Sequence, residues 1–274
     1  MKIINKLPLI IAFALVIFIL TTCADEQSEI KGESPYQGNN LIIDNQQVWI
    51  RNKEAKKISQ VYLKYDDEDE HIIDGFFDVV DAVNEEEMTT NEDETADEIE
   101  YNPEIAGTGG MKKGILNINI SEPDENKHLM EWQYFKQFFS LWKNVTNNSS
   151  EIESVKGNMM ILYALKGEEP IGPLDRQRII GTDSTITQET ILYFYVNKNC
   201  VITGEADSGY IDKQYFYFTE GNLRLSLHQG WNMVCRKETY GKNFSGSAHI
   251  SMEIRNPITN PENFKWVIEP GFGL

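Results

Sequence analysis

Between Asn222 and Cys235 the chain reads NLRLSLHQGWNMVC, with Leu223, Leu225 and Leu227 alternating with Arg224, Ser226 and His228. A period of two turns one set of side chains to a core and the other to water, so this is strand text, and Gln229-Gly230 closes it into a hairpin. The same period returns after Gly114, where Leu116, Ile118 and Ile120 alternate with Asn117 and Asn119. Shorter strand-like segments begin with LIID at Leu41 and VWI at Val48, then ISQVYLKY at 58–65 and HIIDGFFDVV at 71–80. Others fall at 159–165, 190–196, 200–203, 215–218, 247–254 and 264–268. Many short strands broken by turns disfavour a parallel α/β sheet. The expected fold is mainly β, antiparallel and sandwich-like. Matching glycine starts and alternation at 114–120 and 221–227 further suggest two related β halves.

One segment departs from the period of two. Leu129, Trp132, Phe135, Phe139 and Trp142 recur every three or four residues, which predicts a buried amphipathic helix over about 127–143. Pro123 and Asp124 supply its start, and the polar NVTNNSS at 144–150 its end.

The N-terminus has another purpose. Lys2 and Lys6 precede an apolar run over 7–20, followed by Thr21, Thr22 and Cys23. A short basic segment with an apolar core of about 7–15 residues is an export signal, while a membrane span needs roughly 20. With a cysteine directly after the core, residues 1–23 resemble a bacterial lipoprotein signal, of the looser spirochaete type because Thr22 replaces the usual Gly, Ala or Ser. The resemblance implies cleavage before Cys23, lipidation of Cys23, and anchoring to a bacterial membrane, the outer one favoured. The expected organisation is a signal peptide at 1–22, a flexible acidic tether at 23–40 and an N-terminal β region at 41–125. That region holds a disordered acidic loop at 84–106. The helical segment at 126–146 and a C-terminal β region at 150–274 follow.

The chain carries a net charge of −18, which becomes about −20 once Lys2 and Lys6 are removed. Such a charge repels phosphate backbones and anionic headgroups, so nucleic acid is excluded as a partner and membrane attachment falls to the lipid. Beyond Cys23 only Cys200 and Cys235 remain. In an oxidising compartment they are a candidate disulfide; the alternative is two buried thiols acting as small apolar residues.

No segment carries a catalytic signature. Ala206-Asp207-Ser208-Gly209 matches the short motif of an aspartic protease, but a second copy is missing, so it reads as a polar loop. The acids 66–70 lack the glycine of a calcium loop and read as solvated. His71, His128, His228 and His249 have no zinc spacing, and Gly107, Gly109, Gly110 and Gly114 lack a phosphate-loop ending. The aromatic runs 193–195 and 215–218 must split between two faces of a strand, both core, or one core and one a binding face for protein or glycan. The expectation is a lipid-anchored envelope protein that binds a protein or glycan, with no cofactor and no metal. The alternatives are a hydrolase of envelope or host polymers with a site hidden in sequence order, and a periplasmic structural or assembly factor.

Overall fold

The computed structural model describes residues 32–33, 36–52, 54–80, 101–149, 154–181, 185–207, 210–212, 215–219, 221–242, 248–256 and 258–270. The signal, Cys23 and the acidic block 84–100 lie outside them. Its centre is a closed eight-strand barrel. The strands are β3 (Leu41–Arg51), β5 (Glu70–Val80), β6 (Tyr101–Lys112), β7 (Ile115–Ile120), β10 (Lys156–Lys166), β11 (Glu169–Gly181), β12 (Thr185–Val196) and β20 (Lys265–Ile268). Pairing runs β12-β11-β20-β3-β7-β6-β5-β10, and Gly157↔Val196 through Met160↔Tyr193 join β10 back to β12. Only the β20–β3 contact in this ring is parallel. Closure leaves no edge strand in the ring itself, which removes the usual route to edge-to-edge aggregation.

The period of two explains the filling. Leu116, Ile118 and Ile120 are buried while Asn117 and Asn119 face water. Ile73 and Phe77 point inward from β5, and Met160, Leu162 and Ala164 from β10. Trp231 stacks on Phe77 at 5.9 Å and meets Tyr195 edge-on at 5.4 Å. The centre is therefore packed with side chains, as expected for a barrel of this strand number. Three glycines give the inward side chains room: a Cβ at Gly75, Gly107 or Gly109 would fall within 3.1 Å of Ile120 or Ile118.

The ring extends on one side. β17 (Gly230–Lys242) pairs along the whole of β12, and β18 (Ala248–Arg255) pairs with β17. Beyond it β15 (Tyr215–Thr219) adds in parallel and β14 (Tyr210–Asp212) follows. A separate three-stranded sheet of β9 (Lys143–Asn147), β13 (Cys200–Glu205) and β16 (Leu223–Leu227) supplies a second core. Leu223, Leu225, Leu227 and Ile202 cluster there with Phe194, Val196 and Val234. The expected sandwich thus gives way to a barrel: strands from both halves of the sequence close one ring, as β3 on β20 and β5 on β10 show. The two strands that suggested related halves lie in different sheets, β7 in the ring and β16 at the edge of the small sheet. The described residues form one compact unit.

Three boundaries move. The continuous helix at 127–143 is replaced by one turn at Glu125–His128, three extended residues, a second turn at Trp132–Phe135 and a 3-10 turn at Lys136–Phe139. Leu129 adopts an extended backbone (φ −106, ψ 133), and Met130, in β8 (Met130–Glu131), pairs with Gly157, which interrupts the helix. Trp132, Phe135, Phe139 and Trp142 are nonetheless all buried, because successive turns keep the same three-and-four spacing. Tyr101 already begins β6, paired with Val80, so the stretch expected as disordered to 106 ends earlier. Within the expected tether, β1 (Gly32–Glu33) pairs with β19 (Ile258–Thr259) and β2 (Tyr36–Gly38) with β17.

Candidate functional site

A pocket opens where the ring is least tightly closed. β20 pairs with β3 only over Val48, Trp49 and Ile50, so it does not pair with the first half of β3. There β3 carries a bulge: its register with β7 shifts between Ile43 and Gln46, and Asn45 takes φ 52. The bulge is held by the Asn45 N–H donating to Asn117 Oδ1 at 2.9 Å and by Gln46 Nε2 donating to the Asp44 carbonyl at 2.9 Å. The opening leads to a cavity of about 160 Å3. Of its lining residues, the exposed Ile42, Asp44 and Gln46 form the rim, and Leu41, Ile43, Arg176, Tyr193, Met233 and Trp266 the floor.

Each floor residue is placed by a strand. Tyr193 and Trp266 stack at 5.9 Å with their planes 8° apart. Arg176 is paired in register with Ile191 and with Trp266, which sets its side chain beside them on the inward face. Its guanidinium donates to the Pro261 carbonyl at 3.1 Å and approaches Met233 Sδ at 3.9 Å. The pocket thus combines a braced cation, a flat aromatic pair, a thioether and a rim carboxylate.

A charged ladder runs in register from β11 across β12 onto β17 and β18, through Arg178, Glu189, Lys237 and Glu253. Glu189, 3% exposed, binds Arg178 and, at 2.7 Å, Arg255. Arg178 lies 4.6 Å over the Phe264 ring, and Lys237 pairs with Glu253 at 3.2 Å. Each charge has a partner, as buried charges require.

The outer face of β11 holds a second polar group. Loss of hydration pushes the Asp175 carboxyl up to about 6; Arg236 opposes the shift, while Glu269 and Glu238 add to it. Arg236 Nε lies 3.5 Å from Glu238, and Gln177 donates to Glu269 at 2.7 Å. Beside them, in β3, β20 and β4 (Tyr62–Lys64), Lys265 stands 3.5 Å over the Trp49 ring and 5.8 Å from Tyr62, whose hydroxyl burial pushes up to about 12. These carboxylates do not line the 160 Å3 cavity.

The residues singled out in sequence fall elsewhere. Cys200 and Cys235 are both buried free thiols, in different cores: Cys200 with the small sheet, Cys235 facing the barrel. Burial pushes both thiols up to about 11. Lysines engage four of the five acids at 66–70: Lys166 binds Asp67 and Asp69, Lys112 binds Glu70 and Lys113 binds Glu68. Asp207 is tied to Lys143 at 2.8 Å, and its N–H donates to Thr219 Oγ1, a loop clamp rather than half of a carboxylate pair. His128 Nδ1 accepts from the Asp124 N–H at 3.0 Å, and burial pushes its ring below the usual range. His71 bonds Tyr65 and the Asp69 carbonyl. Tyr193, Phe194 and Tyr195 are all buried, Phe194 in the second core and its neighbours in the barrel. Among the described residues no group of three or more His, Cys, Asp or Glu side chains is placed to hold a metal ion.

Family models, curated proteins and solved structures show no match to this chain. Among the described residues no helix is long and apolar enough to cross a membrane.

Proposed function

We propose that the chain is a lipid-anchored cell-envelope protein that binds a small solute in the side pocket of its barrel. The observation that carries the binding reading is the lining of that pocket. A stacked Tyr193–Trp266 pair and the Arg176 guanidinium meet at one opening, beside a bulged length of β3 that β20 does not pair. Pockets that hold small molecules use a few such polar groups to fix orientation, and the exposed lining here is mainly polar. The anchor reading rests on Lys2, Lys6, the apolar core and Cys23.

This reading narrows the partner from a protein or glycan surface to a solute. A glycan platform needs exposed aromatic faces, and Trp49 has Lys265 over its ring. The hydrolase reading has one supporting observation, the raised Asp175 carboxyl with Glu238 and Glu269 in electrostatic reach. Asp175, Glu238 and Glu269 do not line the 160 Å3 cavity. Thermal-shift screening of the mature chain against small polar solutes tests the proposal. A binder stabilises the folded state in proportion to the logarithm of its concentration over Kd, so some solutes should raise the melting temperature. A screen in which none does contradicts the binding reading.

A further inference from the structure

We propose that His128 is an acid-released latch: its neutral ring holds the turn Glu125–His128 against the barrel beside Phe77, and a proton on Nδ1 frees that turn. Nδ1 accepts from the Asp124 N–H at 3.0 Å, so a ring lone pair fastens the start of the turn. Asp124 answers in kind. Its carboxylate accepts from the Asn126 N–H at 2.9 Å and its carbonyl from the His128 N–H at 2.8 Å. A protonated Nδ1 is a donor and accepts nothing, so two N–H groups would then face each other. No bond at the other nitrogen offsets this. Nε2 is buried with no hydrogen-bond partner, the Ile105 carbonyl lying outside hydrogen-bond geometry. The ring has little room to turn toward water: His128 is 8% exposed and packs 5.9 Å from Phe77.

The surrounding charges set the direction. On the turn, Lys127 opposes a second cation and Asp124 favours one, as does Glu104 from β6, which is already paired with Lys127 at 2.7 Å. Glu125 accepts from Asn197 at 2.9 Å. β5 brings Asp78, whose carboxyl burial pushes up. β10 brings the neutral Asn158, which donates to the His128 carbonyl at 2.9 Å and the Asp78 carbonyl at 2.8 Å. Loss of hydration outweighs the acids, and the folded ring holds its proton less tightly than a free one. The latch is therefore shut above the ordinary imidazole value of 6.5 and opens as pH falls below it. Opening stops at Met130, which is paired with Gly157, and uncovers Phe77 with Trp231 stacked on it.

Amide exchange in the mature chain, read by NMR at about pH 7.5 and about pH 5, tests this on either side of the imidazole range. After correction for intrinsic rates, protection at Asp124 and His128 should fall about 10-fold, the effect of one pH unit below the folded value. Amides of β7 and β12 should keep theirs. His128→Asn sets an amide oxygen near the Nδ1 position without a titrating group, so its protection should be the same at both values. A second measurement needs no variant: long-range NMR of the ring nitrogens should find the neutral ring protonated on Nε2. Its midpoint should lie below 6.5 and coincide with the loosening of Asp124. Unchanged protection in the wild type overturns the latch. So does a fall that persists in His128→Asn, which would assign it to Asp78 or Glu104. A ring that gains its proton while Asp124 stays protected overturns it as well, whether or not the variant folds.

Discussion

Burial raises the Asp175 carboxyl from an ordinary 3.8 to about 6, and this ties stability to pH in a stated direction. A group that binds its proton more tightly when folded contributes stability that is complete below its unfolded value. That contribution is lost as pH rises through the folded value. It should therefore decline between about pH 4 and pH 6, by on the order of 2–3 kcal/mol for a two-unit shift. Denaturant unfolding of wild type and Asp175→Asn across that window should show the difference between them changing in that sense; parallel curves contradict the assignment. The cysteines give a second residue-scale prediction. With both thiols buried and pushed up to about 11, neither should react at pH 8 in the folded chain, and both should react on unfolding. Unreduced, unfolded protein with no titratable thiol at 200 and 235 would instead show a disulfide.

At the scale of the element, the β6–β7 hairpin depends on its two-residue turn. Lys113 and Gly114 both have positive φ, 54 and 68, the backbone that a tight hairpin of right-twisted strands demands. A Cβ at Gly114 would stand 1.8 Å from the Tyr65 carbonyl oxygen. Gly114→Ala should therefore cost about 2–4 kcal/mol in chemical denaturation, well beyond an ordinary surface change; a loss within about 0.5 kcal/mol would refute that packing. The alternations around Leu116 and Leu225 were readable as strands because one face of each meets water. β11 was not, because Pro170, Gly172 and Pro173 suggest a loop and because Arg176 and Arg178 occupy its apolar face. Its prolines sit in the first residues, near the hairpin with β10, where a missing N–H is cheapest. The pocket was hidden for the same reason: its floor comes from a strand whose inward charge breaks the pattern. Its rim lies in the first half of β3, where LIID and VWI read as two strands and are one strand with a bulge. The broken helix was half legible, its buried spacing present in the sequence and its extended step at Leu129 set by pairing with β10.

For the whole molecule, a closed ring explains how a strongly acidic chain packs two aromatic cores while showing few apolar faces. Among the described residues, the buried Glu189 sits in a paired ladder with Arg178 and Arg255. Anchoring belongs to this scale too. Cys23→Ala should abolish acyl labelling and release the chain or leave its signal uncleaved, because Cys200 and Cys235 are buried in the fold; unchanged labelling would remove the anchor. The proposal that the opening beside Asp44 and Arg176 takes a solute is tested most directly by an amide-resolved NMR titration of the mature chain with the solute that raises its melting temperature most. Shifts should concentrate at Asp44, Gln46, Arg176 and Trp266 and saturate together. Shifts that saturate instead around Trp49 and Tyr62, or none at all, would contradict it.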